Sequence, residues 1–405
     1  MMITEHPYKV ITLQNGVQKA IAEGHPWIYR TQIDRQFQNL PPEEKPAAGE
    51  LVEVQDFRGR YLGDGIYNPA SMIAVRLLTH QHELPDDTLI RRRVCEAVAF
   101  RRAWARPDTD SYRMIYGEAD RLPGVIADQF GDTVVLQILA FGMERWLDLI
   151  AETLIEELKP ANLILQHEEP IRQKEGLPLY RRVYLGKDPG RVLIRENGLL
   201  LQADLTGGQK TGYFLDQKAN HAAVRPYAAG KSVLDCFCYS GGFSLNAAYA
   251  GAAQITAVDQ SGDAIGLARD NAVLNGFDNR IEWITANAFD YLRQAVIRKA
   301  SFDVIVLDPP AFAKSHAAQA AACRGYKEIN LCAFRLLPAG GILATHSCSY
   351  HMPEDLFLST VLAAARDARR IVRILDVRRQ DFDHPVLGGY PESHYLKSIW
   401  LQAVE

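Results

Sequence analysis

From about residue 190 onward, short apolar runs recur and each gives way to a stretch with helical periodicity. The runs are Val233–Phe237, Ile255–Asp259, Ile281–Thr285, Val304–Asp308 and Ile342–Thr345. A strand covered on both faces reads as a continuous apolar run, and its alternation with helices predicts a parallel, doubly wound sheet. Upstream the pattern differs. To about residue 80, β-like runs such as Leu51–Phe57 and Met72–Leu78 are separated by Gly, Pro and Asn turns, which predicts a small β-barrel. Pro41, Pro42 and Pro46 fall within it and mark an exposed loop, because proline cannot join a central strand. Between these parts, an arginine-rich helix, a strand at Thr133–Leu139, a helix near Arg145–Leu158 and strands around Asn162–Gln166 and Arg181–Leu185 predict a small α/β domain. Asp87 or Thr88 is the candidate cap of the first helix. The domain boundaries expected are 1–82, 83–190 and 191–405, with no repeat of fixed period.

Length and composition agree with this division. A chain of 405 residues with 47% hydrophobic and 23% charged residues is globular and long enough for two or three cores. No N-terminal leader pattern and no apolar run near the ~20 residues of a bilayer span are present, so a cytoplasmic protein with no membrane partner is expected. Six cysteines without a regular framework predict reduced thiols. Cys236 and Cys238 lack the second pair a zinc site needs, and Cys95, Cys323 and Cys332 lie in helical patterns, so no metal is expected. The net charge of −4 opposes a nucleic-acid partner unless basic residues cluster locally. Arg91, Arg92, Arg93, Arg101, Arg102 and Arg106 form such a cluster, for which a solvated helix face is the favoured reading. Lys210 and Thr211 follow Gly207 and Gly208, but Gln209 intervenes and the upstream glycine is missing, so a phosphate loop is rejected.

The carboxyl edge of the predicted sheet collects the chemistry. The first strand ends in Asp235 and passes through Tyr239, Gly241 and Gly242 into a helix, which places glycines where a nucleotide-like ligand approaches the backbone. The spacing lacks the G-x-G-x-x-G of a dinucleotide site, and S-adenosyl-L-methionine, which has no phosphate to cradle, is the better cofactor. Asp259, at the end of the next strand, is positioned for the ribose hydroxyls, and Asn287, after the third, for the adenine edge. Asp308-Pro309-Pro310 closes the fourth strand, where two prolines fix the direction of the carboxylate. Cys348 follows the fifth, on the neighbouring strand end. Carbon 5 of cytosine is a poor nucleophile until a thiolate adds to carbon 6, and this chemistry needs a cysteine beside a group that stabilises the ring. Cys348 and Asp308 are therefore the candidate catalytic residues, with Asp235, Tyr239, Gly241, Gly242, Asp259, Asn287 and Asp308 the candidate cofactor contacts. His346 points away from Ser347 and is read as packing or support.

With those residues in place, the chain resembles the bacterial large-subunit (23S) ribosomal RNA cytosine-5 methyltransferase family, in the branch that carries an N-terminal PUA domain. The resemblance spans nearly the whole chain. It rests on Gly24–Tyr29, Gly65–Pro69, Gly117–Gly124 and Thr211–Gln217, and on the Asp383-His384-Pro385 and Tyr395-Leu396-Lys397 runs, to which no chemistry is assigned. It implies a Rossmann-like seven-stranded S-adenosylmethionine methyltransferase domain, an RNA-binding PUA-like β-barrel at 1–82 and a small α/β domain between them. It further implies a ribosomal RNA substrate, Asp235, Asp259 and Asn287 around the cofactor, Asp308 on the cytosine and Cys348 as nucleophile. A homodimer is left open. The chain departs from the family at Ala311, where the broader group of cytosine-5 RNA enzymes has a second cysteine, and at Asn287, where many relatives have Asp. Methylation of a base nitrogen, for which Asp-Pro-Pro is also suited, and a non-catalytic RNA-binding assembly factor are the alternatives. The aromatic residue that nitrogen methylation would place after the prolines is replaced by Ala311.

Overall fold

The computed structural model of the chain describes residues 8–207, 210–313 and 315–404. Two units are formed. One holds the chain through Val192 together with Asp204–Tyr213 and Phe382–Ser393; the other holds Leu193–Ala203, Phe214–Asp381 and the chain from His394 on.

The first unit contains two five-stranded sheets. Strands β1 (Lys9–Thr12), β2 (Trp27–Tyr29), β3 (Leu51–Gln55), β4 (Tyr61–Tyr67) and β5 (Ile73–Thr79) pair in the order β1-β3-β4-β5-β2 around a core that includes Ile11, Ile28, Val52, Val54 and Val75. The glycine-laced β4 escapes the sequence pattern because its glycines serve contact: a Cβ on Gly65 would lie 2.6 Å from the Arg76 carbonyl oxygen of β5. The second sheet runs β10-β9-β8-β7-β6, from β6 (Tyr112–Tyr116), β7 (Val125–Phe130), β8 (Thr133–Ile138), β9 (Asn162–His167) and β10 (Tyr180–Leu185). Helices α1 (Asp87–Trp104) and α2 (Leu147–Leu158) bury Ile90, Val94, Val98, Ile150 and Leu154 in its core. The cap of α1 is Asp86, whose side chain accepts from the Leu89 N–H, rather than Asp87 or Thr88.

The arginines of α1 are largely neutralised. Arg91 bridges Glu156 at 2.5 Å, Arg92 bridges Glu83 at 2.8 Å and Arg102 bridges Glu157 at 2.9 Å. Arg101 is fully buried on Asp120, and Arg93 donates to the Arg121 carbonyl. The same unit absorbs several motif residues into its framework: Asp120 also accepts from the Tyr116 N–H, and Asp383 accepts from the Arg113 N–H. Thr211 donates to Asp128, which makes it a structural residue, while Gly208 and Gln209 of the rejected phosphate loop lie outside the described residues.

The second unit begins with most of the hairpin β11 (Arg191–Glu196) and β12 (Leu199–Asp204), from Leu193 to Ala203, and with the short helix α3 (Lys218–Ala223). Its main sheet has seven strands: β13 (Ser232–Cys236), β14 (Gln254–Asp259), β15 (Ile281–Thr285), β16 (Val304–Leu307), β17 (Ile342–Ser347), β18 (Val372–Arg378) and β19 (Lys397–Ala403). They pair in the order β15-β14-β13-β16-β17-β19-β18, with β13 to β17 parallel as expected. The departure is β19, which runs antiparallel to both β17 and β18. Helices α4 (Gly242–Tyr249), α5 (Gly262–Leu274), α6 (Ala288–Ile297), α7 (Gln319–Leu336) and α8 (Glu354–Asp367) connect or flank the strands. Central β16 and β17 are buried at every residue, which is why they read as apolar runs, whereas edge strand β18 is mostly exposed. The order reverses between β13 and β16, so loops leaving these strands diverge and open a crevice at their carboxyl ends. Among the described residues no helix is long and apolar enough to cross a membrane.

The bidentate pair of Arg113 with fully buried Asp128, at 2.8 and 2.7 Å, ties β6 to β7. Replacing Asp128 with Ala removes both acceptors of the bidentate pair at a nearly buried guanidinium, and should lower the stability of the first unit by about 3–5 kcal/mol. The denaturant midpoint, followed by a probe in that unit, measures the loss.

Candidate active site

The loop after β13 is held in an unusual backbone path. Phe237 and Tyr239 adopt left-handed φ values of 66° and 47°, and Gly241 follows at 89°. Such angles cost an ordinary side chain energy, and the surroundings enforce them here. The Phe237 and Cys238 N–H groups both donate to the Val258 carbonyl, and the Tyr239 N–H donates to Asp259 Oδ2 at 3.0 Å. The loop thereby curls over the ends of β13 and β14. Asp259 Oδ1 accepts from the Ser261 N–H at 2.9 Å, so both oxygens are aimed by the backbone and each keeps a lone pair for a further donor.

The two glycines are required by protein contacts. A Cβ on Gly241 would sit 2.9 Å from the Trp283 ring, and one on Gly242 would sit 2.5 Å from the imidazole of His221. His221, on α3, lies beneath the start of α4, with Nδ1 2.7 Å from Glu196 Oε1 on β11. Burial opposes its charge, but the Glu196 carboxylate outweighs that and raises its proton affinity, with Asp308 and Asp235 adding to the effect. Sequence reasoning missed this dyad because its members lie 25 residues apart, in a hairpin and a short helix outside the regular pattern.

Two carboxylates face the opposite penalty. Asp235 is fully buried; burial raises it to about 6, although its Oδ2 accepts from the Ser244 N–H and hydroxyl at 3.0 and 2.6 Å. Its Oδ1 has no partner. Asp308, just past β16, is raised to about 7, first by burial and then by Asp216 and Asp235, against the opposing pull of His221 and a hydrogen bond from Gln217. Gln217 belongs to the Thr211–Gln217 run that the sequence singled out without a role. Lost hydration and like charge thus leave this crevice short of a cation. S-adenosyl-L-methionine, with a sulfonium and an ammonium, fits that need, and the unpartnered Asp235 oxygen and buried Trp283 Nε1 are further polar atoms awaiting a partner.

Asn287 is held differently from the sequence expectation. Its amide oxygen caps α6, accepting from the Phe289 and Asp290 N–H groups at 2.9 and 3.3 Å. The oxygen expected to accept from adenine is therefore occupied, and the exposed amide nitrogen is the group left for a ligand.

At the next strand end, Cys348 is partly exposed and its sulfur lies 3.9 Å from the Pro309 carbonyl oxygen, in the run that Asp308 begins. The loop and strand are fastened together: Tyr326 on α7 links its hydroxyl to Ser347 and Ser349 at 2.9 Å each, and Ser349 accepts from the Ala313 N–H at 3.1 Å. Burial pushes Tyr326 up to about 12, so the link stays uncharged. Cys236 and Cys238 are buried and their thiols are pushed well above the usual range. His346 is buried against Phe243 and Trp400, both ring nitrogens unpartnered, and burial lowers it to about 3, which keeps it neutral.

The comparisons with known proteins agree with this geometry. Residues 162–379 match the family described as S-adenosylmethionine-dependent methyltransferase, and residues 11–80 match the PUA-like domain. The chain is 40% identical over 402 residues to the ribosomal RNA large subunit methyltransferase I of Klebsiella pneumoniae (strain 342), covering 98% of this chain and 99% of that one. It is also 40% identical over 393 residues to the protein so named in Shewanella amazonensis, covering 96% and 98%. In structure it resembles a putative SAM-dependent methyltransferase from Streptococcus mutans, with a TM-score of 0.82 at 20% identity over 98% of this chain and 100% of that one. A putative methyltransferase solved in complex with SAH gives 0.81 at the same identity and coverage. The fold is that of an S-adenosylmethionine-dependent methyltransferase with a PUA-like domain before it.

A carboxyl raised above its unfolded value stabilises the fold at low pH and loses that contribution as pH rises. For Asp308 the loss should fall between about 4, the ordinary aspartate value, and about 7. Asp308→Asn should flatten the decline in cofactor-free stability across that window, as read from denaturant midpoints at each pH.

Proposed function

Because the chain belongs to the ribosomal RNA large subunit methyltransferase I family, we propose that it methylates carbon 5 of a cytosine in large-subunit ribosomal RNA through a covalent Cys348 adduct. The observation that carries this reading is the position of the Cys348 sulfur, 3.9 Å from the Pro309 carbonyl, on the strand end next to Asp308. In the proposed division of labour, residues 1–82 grip RNA, 83–190 form the intermediate domain and 191–405 carry the chemistry. The target base has to be turned out of its stack to reach the crevice.

The Cys348 thiolate forms a bond to carbon 6 of the base, and the electrons of the ring double bond become available at carbon 5. Asp308, with a proton affinity near neutrality, donates to ring nitrogen 3 as charge builds there, and Gln217 fixes its direction. The bound cofactor supplies an electrophilic methyl group, which carbon 5 takes. The proton on carbon 5 then leaves, the sulfur–carbon bond breaks, the double bond and the thiolate are restored, and ring nitrogen 3 returns its proton to Asp308. Ala311 provides no second thiol for the proton, so its acceptor lies elsewhere. On the cofactor side, Asp259 would receive the ribose hydroxyls, Asp235 and the Tyr239–Gly242 turn would hold the methionine end, and the Asn287 amide nitrogen would be the donor offered to the adenine.

Mass spectrometry of nucleosides from large-subunit RNA incubated with the protein should show 5-methylcytidine. Cys348→Ala should lower its formation on the order of 10³-fold or more while calorimetric binding of S-adenosyl-L-methionine is retained. A nitrogen-methylated base as product, or full turnover by the variant, would remove the reading, and a protein that binds cofactor and RNA without forming product would favour the assembly-factor alternative.

A further inference from the structure

Lys397 takes no part in the reaction as written, yet it occupies an expensive place. It opens β19 opposite Ser347 of β17, one residue before Cys348, and its side chain is 2% exposed. Its ammonium donates to the carbonyl of Ser349, the residue after Cys348, and to that of Tyr395, both at 2.7 Å. Two carbonyls orient an ammonium without neutralising it, and a buried cation without an anion is strongly disfavoured.

The surrounding groups narrow the choice of anion. On α8, Glu354 lies 3.7 Å from His394 and, among the described residues, forms no bridge to Lys397. His394 is itself lowered, by burial first, and contributes no negative charge. Tyr326 on α7 stays neutral. Burial drives Lys397 down to about 8; of the groups that draw its proton affinity back up, Cys348 acts more strongly than Glu354.

We propose that Lys397 is the fixed counter-cation of Cys348, locked by two main-chain carbonyls so that the neighbouring sulfur rests as a thiolate before any base arrives. The thiol proton passes to solvent and the lysine keeps its own, so the pair carries one negative and one positive charge throughout. When the sulfur–carbon bond breaks at the end of a cycle, the thiolate reforms beside the same cation. The proposal takes its meaning from Cys348 as nucleophile, but the pairing is a property of the protein without RNA. Lys397 is a positioning residue, acting on the substrate only through the sulfur.

The test is the pH dependence of Cys348 alkylation by iodoacetamide in the full chain, followed by peptide mass spectrometry, with melting temperature and cofactor binding as controls for folding. The wild-type midpoint should lie at least about one unit below the ordinary cysteine value of about 8.5. Lys397→Met should raise it by about a unit or more, slowing alkylation at pH 7 roughly tenfold, whereas Lys397→Arg, which keeps the charge, should hold it low. A wild-type midpoint at or above the ordinary value overturns the proposal even if Lys397→Met fails to fold, as does a folded Lys397→Met with an unshifted midpoint. A low, lysine-dependent midpoint in a protein that forms no 5-methylcytidine would uphold the pair and remove the cytosine-5 reading.

Discussion

Two carboxylates, Asp235 buried and Asp308 half-buried, crowd together and set the terms for the second unit. Asp235 and Asp308 close the two strands that flank the reversal of the sheet, and both are held toward their neutral forms by lost hydration and by like charge. The surroundings follow from that constraint. His221 is propped on Glu196, which raises its proton affinity beneath the acids, and Gly242 stays without a side chain because that ring needs the room. A cationic ligand relieves the remaining imbalance, which makes affinity for it a consequence of how the protein is charged inside.

The thiol side of the crevice is built by different means. Uncharged hydroxyls do the fastening: Tyr326, Ser347 and Ser349 join a helix, a strand end and the run after the two prolines into one rigid frame. A frame of this kind keeps sulfur and carboxylate in register without adding charge that would compete with either. Both halves place strongly polar groups on short, buried supports, so their geometry is fixed before a substrate binds.

Much of this was legible from residue order, and the parts that were not share a cause. Strands β13, β14, β16 and β17 announced themselves because burial on both faces leaves an apolar run, β15 by its place in the strand–helix alternation, and the acids at their carboxyl ends followed from their positions. Strand β4 was lost because Gly63 and Gly65 are chosen for close approach. Asn287 shows the limit of reading a side chain by its place: the residue lies after the strand foreseen for it, but its oxygen is consumed by the next helix. The meeting of Glu196 with His221, and that of Lys397 with the Cys348–Ser349 segment, were invisible because the fold assembles each from separate segments, and periodicity carries no record of such meetings. The arginines of α1 teach the converse: a conspicuous basic run was internally balanced by acids on α2 and neighbouring turns.

The reversed strand β19 also holds the end of the sheet together. Although β18 precedes it along the chain, among the described residues β18 pairs only with β19, and β19 fills the gap beside β17. Without that insertion, the strand that leads to Cys348 is an open edge and β18 lacks the neighbour it pairs with. The segment that carries Cys348 is thus enclosed by a long-range pairing, and a chain lacking it would present a sticky, unpaired ladder together with a thiol outside its native setting.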